Sequence, residues 1–328
     1  MDFGEEGLND TIDFCQGMNY IGAGSDLNSA KAPLFIKKND IKIGILARCE
    51  TQFGIASSER AGVAFIDSTL YQSIQALKLE CDFIIVSIHG SVEMCPWPSP
   101  KWQDYLRSLI DVGANVVHGH HSHIPQGYEK YKDGFIFYGL GNFLVEPKSW
   151  SHYSNTLWSI TPVIQFNKQG CSCLIKTAVI KEENQKIFVT SSKPEEYDQH
   201  LCYLKKCNAP LYDRNYLEGL WQESSIRMYN LWYSKWLGFT AKDKKVIVKL
   251  KKLMRNRLSK LKGKILNLDS SNSKDINQLL LWYHLFACES HKEVISTGLG
   301  VISGEVDDLR TNEISLIVDE MMPWSVEK

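Results

Sequence analysis

The sequence predicts an α/β fold, either one mixed sheet or two stacked sheets with helices outside, followed by a helical C-terminal region. Three observations lead there. Helix-like and strand-like segments alternate early in residues 1–191 and give way to plain strands late in that stretch. The run CDFIIVSIHG, residues 81–90, is almost continuously apolar until it stops at His89-Gly90, which is how a strand covered on both faces reads. From about residue 192 the apolar residues become Leu, Trp and Tyr at helical spacing.

Taken in order, residues 5–17 read as a helix with Leu8, Ile12 and Phe14 or Cys15 on one face. Residues 41–47, IKIGILA, read as a strand. Leu70, Ile74 and Leu77 form one apolar stripe of a helix over 69–80. A helix over 100–112 is bracketed by Pro100, tolerated in a first turn, and by Gly113, a stop signal. Residues 115–118 form a short strand that runs straight into GHHSH, and GFIFYGL, 134–140, forms the next. Three further strands are expected at 157–166, 172–180 and 185–191, with turns at Asn167–Gly170 and Glu182–Asn184. Helices are expected over 213–237 and 275–289.

Between those two helices, residues 242–264 carry eleven Lys or Arg against one Asp, with leucines at helical intervals. This is a basic amphipathic helix, suited either to an anionic surface, membrane or polymer, or to packing its leucine stripe on the domain. The expected division is 1–191 and 192–328.

Composition sets limits. At 328 residues, 44% hydrophobic and 23% charged, the chain can bury a sizeable core. A net charge of −1 provides no global attraction for nucleic acid, and none is expected as a partner. No apolar run reaches the length of a membrane span. The nine scattered cysteines include no Cys-x-x-Cys pair, so they read as free thiols of a reducing compartment, and the expected location is cytoplasmic.

The chemistry concentrates in a histidine cluster. Five of the nine histidines fall between residues 89 and 123, and His118, His120, His121 and His123 lie within six residues. Imidazole is a neutral nitrogen ligand for first-row metals, and ligand sites of α/β sheets gather at the carboxyl ends of strands. His89 ends one buried strand and the cluster ends another, so the topology brings them together. His121 and His123, one residue apart, can reach a common centre or two adjacent metals. His118 is expected to point into the sheet, and His120 to orient a ligand. Glu93, four residues after His89, can act as acid or base or hold a ligand imidazole, or it is a surface glutamate. Asn142 can aim its amide at a substrate oxygen, or it is a turn residue. No P-loop and no G-x-S-x-G elbow occurs.

The blocks IIVSIHGSVE, LIDVGANVVHGHHSHIPQG and IFYGLGNFL, together with the start MDFGEEGLNDTIDFC and NYIGAG, resemble the bacterial capsule-synthesis CapA family, related to calcineurin-like metallophosphoesterases. Gly119, His121 and His123 fit that family's Gly-x-His-x-His signature; Ser122 stands where a proline is common. The resemblance covers roughly residues 1–190. It implies a layered α/β/β/α metallophosphatase-like fold and a two-metal site of Mn, Fe or Zn, with His89 and His121 on one metal and His123 on the other. Such metals hold an oxyanion and activate water for in-line attack on a phosphoester. The family's first aspartate and its Asn-His pair precede the segment matching Asp2-Phe3-Gly4, so the front strands and their ligands are expected upstream of Met1.

Two functions follow as expectations. One is a metal-dependent hydrolase of capsule or exopolysaccharide metabolism, with His89, His121 and His123 on metal and Glu93 and Asn142 assisting. The other is a catalytically degenerate accessory protein that binds an acidic polymer or a synthase partner.

Overall fold

A computed structural model describes residues 3–15, 17–51, 54–237 and 273–326. The basic stretch 242–264 lies outside the described residues. The main sheet has six strands in the order β2 (Leu34–Lys38), β3 (Ile41–Cys49), β5 (Phe83–His89), β6 (Val116–His120), β8 (Gly134–Phe137) and β7 (Tyr128–Tyr131). The inner four run parallel and the two edge strands antiparallel, a mixed sheet. Two short strands, β1 (Ala23–Gly24) and β4 (Gly62–Val63), pair with each other, and two short helices are α2 (Leu27–Lys31) and α5 (Pro147–Trp150). Helices α3 (Thr69–Lys78) and α4 (Pro100–Asp111) cover one face of the main sheet, where Leu70, Ile74, Leu106 and Leu109 pack on Leu46, Ile84, Val86 and Ile88.

The other face meets a second, antiparallel sheet of β13 (Lys186–Ser191), β12 (Thr177–Glu183) and β9 (Trp158–Ile160), together with α6 (Pro194–Asn208). There Val116 and Phe137 pack with Trp158, Ile160, Val179 and Leu204. Strand β5 is therefore apolar on both faces because it is covered on both.

Several expectations need correction. The strands expected at 157–166 and 172–180 are each two. Pro162 has no N–H to give a ladder, so β9 ends at Ile160, and β10 (Val163–Asn167) begins a separate hairpin with β11 (Gly170–Leu174). In α1 (Gly4–Phe14) no residue is fully buried. Leu8, Ile12 and Cys15 make a half-buried stripe, while Phe14 is 82% exposed. The β12–β13 hairpin turns at Asn184 and Gln185, both at positive φ, as a twisted two-residue turn requires.

The helical region also differs in detail. The helix expected over 213–237 is α7 (Arg214–Met228), a π turn over Tyr229–Tyr233, and α8 (Ser234–Leu237). The helix expected over 275–289 is α9 (Ser273–Ala287), which breaks at Cys288 into α10 (Glu289–Ser303). A last helix, α11, spans Asn312–Met321. These helices share one apolar cluster with the loop after β5: Val92, Cys95 and Trp97 pack with Leu220, Met228, Val294 and Val318. The helical region is thus seated on the loop that carries Glu93. Among the described residues no helix is long and apolar enough to cross a membrane.

Candidate metal centre

The site stands at the carboxyl ends of the three central parallel strands. Parallel pairing sets Cys49 beside His89 and His89 beside His120, so Glu50, His89 and His121 follow one another along the sheet edge. The Glu50 N–H donates to the His89 carbonyl at 2.8 Å, and the Gly90 N–H to the His120 carbonyl at 3.2 Å. Gly119 is required here: a Cβ on it would lie 2.1 Å from the Tyr138 carbonyl oxygen, inside any allowed contact.

His121 and His123 both have positive φ, +94° and +58°. Non-glycine residues rarely adopt this conformation, which costs about 1–3 kcal/mol each, and such strain gathers at functional sites. Ser122 between them is buried and donates to the Ile124 carbonyl. The two imidazoles converge with Glu93, and one donor atom from each of the three residues lies within 4.8 Å of the others. The Glu93 carboxylate is 3.8 Å from His121 Nε2 and 4.0 Å from His123 Nε2. His89 flanks this set, its ring centroid 4.8 Å from that of His121.

Asn142 takes a different place from the one the sequence suggested. Its Nδ2 donates to the Thr156 carbonyl at 3.1 Å, which turns Oδ1 toward His123 Nδ1 at 2.9 Å. Oδ1 can only accept, so His123 carries a proton on Nδ1 and turns Nε2, the atom that would ligate, toward Glu93. Asn142 is a positioning residue for His123. Replacing it by Leu keeps the volume and removes the acceptor; a loss of about 10- to 100-fold in Mn2+ affinity is expected, measured by titration of metal-free protein. Undiminished affinity would remove this role.

The electrostatics favour a cation. Burial, reinforced by His89 and His123, pushes His121 down to about 3, so its ring stays neutral and free to ligate at neutral pH. Burial raises the Glu93 carboxyl above its usual range while His123 opposes it. His118 turns into the protein, as expected, with Nδ1 3.0 Å from His120 Nε2, and burial followed by His120 takes it to about 4. His120 is thereby engaged with His118.

A pH dependence follows. Histidines whose folded pKa lies below the free value near 6.5 stay neutral while the unfolded chain takes up protons. Their contribution is complete above about pH 6.5 and is lost as pH falls toward 4. His118, His121 and His291, the last held at about 4 by burial and His284, all act this way. Each contributes a slope of up to about 1.4 kcal/mol per pH unit. Urea midpoints of metal-free protein should therefore drop steeply from pH 6.5 to 4.5; a flat profile would contradict the buried neutral state.

Sequence reasoning missed Glu50 and the far wall. Glu50, 1% exposed, follows the strand expected at 41–47, and a carboxylate at the carboxyl end of a buried strand was the available signal. Its Oε1 is 3.4 Å from His121 Nε2, and it accepts from the Ser290 N–H at 3.0 Å and the Ser290 hydroxyl at 2.8 Å. A cavity of about 340 Å³ opens over the centre, lined by Glu93, His121, Trp150, Tyr153, Tyr233 and His291 among others. The Trp150 ring lies 4.2 Å from that of His123.

Residues 1–147 match the family described as bacterial capsule synthesis protein PGA_cap. Over residues 1–147, the chain resembles the bacterial capsule synthesis protein family. The matched segment contains every histidine of the cluster, Glu93 and Asn142, and it ends before Trp150, Tyr153, Tyr233 and His291, which wall the cavity. The chain is 30% identical over 154 residues to a capsule biosynthesis protein CapA of Bacillus anthracis, covering 44% of this chain and 38% of that protein. It is 31% identical over 152 residues to a PGA biosynthesis protein CapA of Bacillus subtilis, covering 44% and 40%. A Mycobacterium tuberculosis protein named "Probable polyglutamine synthesis accessory protein" is 29% identical over 158 residues, covering 43% and 42%. The chain thus matches about two fifths of the length of these relatives. Among solved structures, a hypothetical protein from Thermus thermophilus aligns with 49% of this chain and 62% of its own, at 10% identity and a TM-score of 0.25, a likeness too weak to bear on the fold.

Proposed function

We propose that the chain is a metal-dependent, phosphoesterase-like hydrolase that serves the synthesis of an anionic capsule polymer. The observation that carries this reading is the convergence of Glu93, His121 and His123 within 4.8 Å at the carboxyl ends of parallel strands, on a segment that matches the capsule-synthesis family. The donor set fits a divalent ion such as Mn, Fe or Zn: the imidazole of His121, held neutral by burial, the imidazole of His123, oriented by Asn142, and one carboxylate. A bound ion would supply a Lewis acid and an activated water. The complete centre of this reading takes two ions, with His89 beside His121 as a further ligand.

The chain's own residues supply the rest. Glu93, at the cavity wall, is placed to take or return a proton at a water beside the centre. Trp150 and Tyr153 shape the opening and restrict water. The test is turnover of a generic phosphodiester with added Mn2+. Turnover that disappears with chelator and in His123→Ala supports the reading; protein loaded with Mn2+, Fe2+ or Zn2+ that hydrolyses nothing overturns it. The word "accessory" in the name of the mycobacterial relative favours a second reading, in which the centre binds an acidic polymer or synthase partner without turnover. Metal-dependent retention of poly-γ-glutamate by a turnover-negative protein would support it.

A further inference from the structure

The corner between α9 and α10 carries a second cluster that lies outside the family segment. We propose that His284, Cys288 and His291 form a separate zinc-class metal centre that locks this corner against the cavity. His284 lies in the last turn of α9, His291 in the first turn of α10, and Cys288 is the extended residue between them, at φ −71° and ψ 124°. The bend folds the two histidines onto each other: their Nε2 atoms are 2.9 Å apart and their ring planes stand at 77°. The Cys288 side chain is fully buried, and one donor atom from each of the three residues lies within 4.8 Å of the other two.

The geometry suits a tetrahedral ion. Zinc bonds of about 2.0–2.1 Å to nitrogen and about 2.3 Å to sulfur set ligand edges of about 3.3 Å for N···N and about 3.6 Å for N···S. The two imidazole nitrogens therefore need to open by only a few tenths of an ångström. His291 Nδ1 is 2.6 Å from the Tyr233 hydroxyl, which holds the ring and leaves Nε2 for the ion. This is the outer support that metal-ligating histidines have, and here the π turn of residues 229–233 supplies it.

Charge and softness point the same way. The Cys288 Sγ lies 3.1 Å from the Ser290 hydroxyl, beside the Glu50 carboxylate that Ser290 holds. A bound divalent ion displaces the thiol proton to form the thiolate, and it also offsets that buried carboxylate. Thiolate plus imidazole selects zinc over the harder ions that the Glu93 centre accepts. Because His291 and Tyr233 both line the cavity, the ion would set the position of the wall facing His121 and Glu93.

The test uses the full chain, made metal-free and titrated with Co2+ as a spectroscopic stand-in for zinc. One equivalent should develop thiolate-to-cobalt charge-transfer absorption and be displaced by one equivalent of Zn2+. The absorption should persist in His121→Asn and vanish in Cys288→Ser and in His291→Asn. In the His121→Asn background, where the Glu93 centre is disabled, Zn2+ should raise the urea midpoint, and adding Cys288→Ser should leave it unmoved by Zn2+, which separates metal loss from misfolding. Absence of the charge-transfer band, or its survival in Cys288→Ser, would reduce the cluster to a histidine–histidine hydrogen bond beside an inert thiol. Its loss in His121→Asn would make His121 a ligand of the same ion and overturn the claim that the two centres are separate.

Discussion

His121→Ala should weaken Mn2+ binding by about 100-fold or more, since even loss of a group that merely orients a ligand costs 10- to 100-fold. His121 is central to the set: its Nε2 is 3.8 Å from Glu93 and 3.4 Å from Glu50, and its ring lies beside those of both His89 and His123. With its pKa near 3, the ring is a ready lone pair that needs no deprotonation. The backbone at φ +94° strains Ala as it strains His, whereas Asn enters this region more readily. His121→Asn therefore keeps the loop and removes the imidazole, and both variants should lose the ion alike. Mn2+ is the right probe because it disfavours the thiolate cluster at Cys288. Unchanged Mn2+ content in both variants would remove His121 from the centre.

Glu50→Ala should destabilise the protein by about 2–4 kcal/mol, because it strips charge-assisted hydrogen bonds and leaves buried donors unpaired. Glu50 is 1% exposed and receives both the backbone N–H and the hydroxyl of Ser290, the second residue of α10. A carboxylate there also faces the positive end of the helix. The pair joins the end of β3 to α10 across 240 residues of sequence, with the Thr51 N–H donating to Glu289 beside it. Glu50→Gln keeps an acceptor and should lose less. Urea unfolding measures the cost, and hydrogen exchange at Ser290 locates it. An unchanged midpoint would mean that α10 is held by its apolar contacts alone.

How legible was all this in the sequence? The parallel strands were read closely, because a strand buried on both faces leaves an uninterrupted apolar run that ends where the polar site begins. The expected strands at 41–47, 81–90 and 115–118 became Ile41–Cys49, Phe83–His89 and Val116–His120. The stripe of Leu70, Ile74 and Leu77 faces the core as its spacing required. Edge strand β2, with most of its residues exposed, leaves no such run in the sequence. In the helical region, the spacing His284-x3-Cys288-x2-His291 was visible as a ligand pattern, yet reading 275–289 as one helix hid the bend that brings the donors together.

By itself the sequence determined the strand ends and the histidines crowded on them, since both are local: neighbours in the chain remain neighbours at the end of a strand. It also carried Asn142, though not its partner. Only the tertiary structure decided that Asn142 holds the Nδ1 proton of His123, that Glu50 is tied to Ser290, and that Tyr233 and His291 face Glu93 across one cavity. These contacts join residues up to 240 positions apart. They arise from how the helices seat on the loop after β5; periodicity marks which face of an element is buried but not which distant surface covers it.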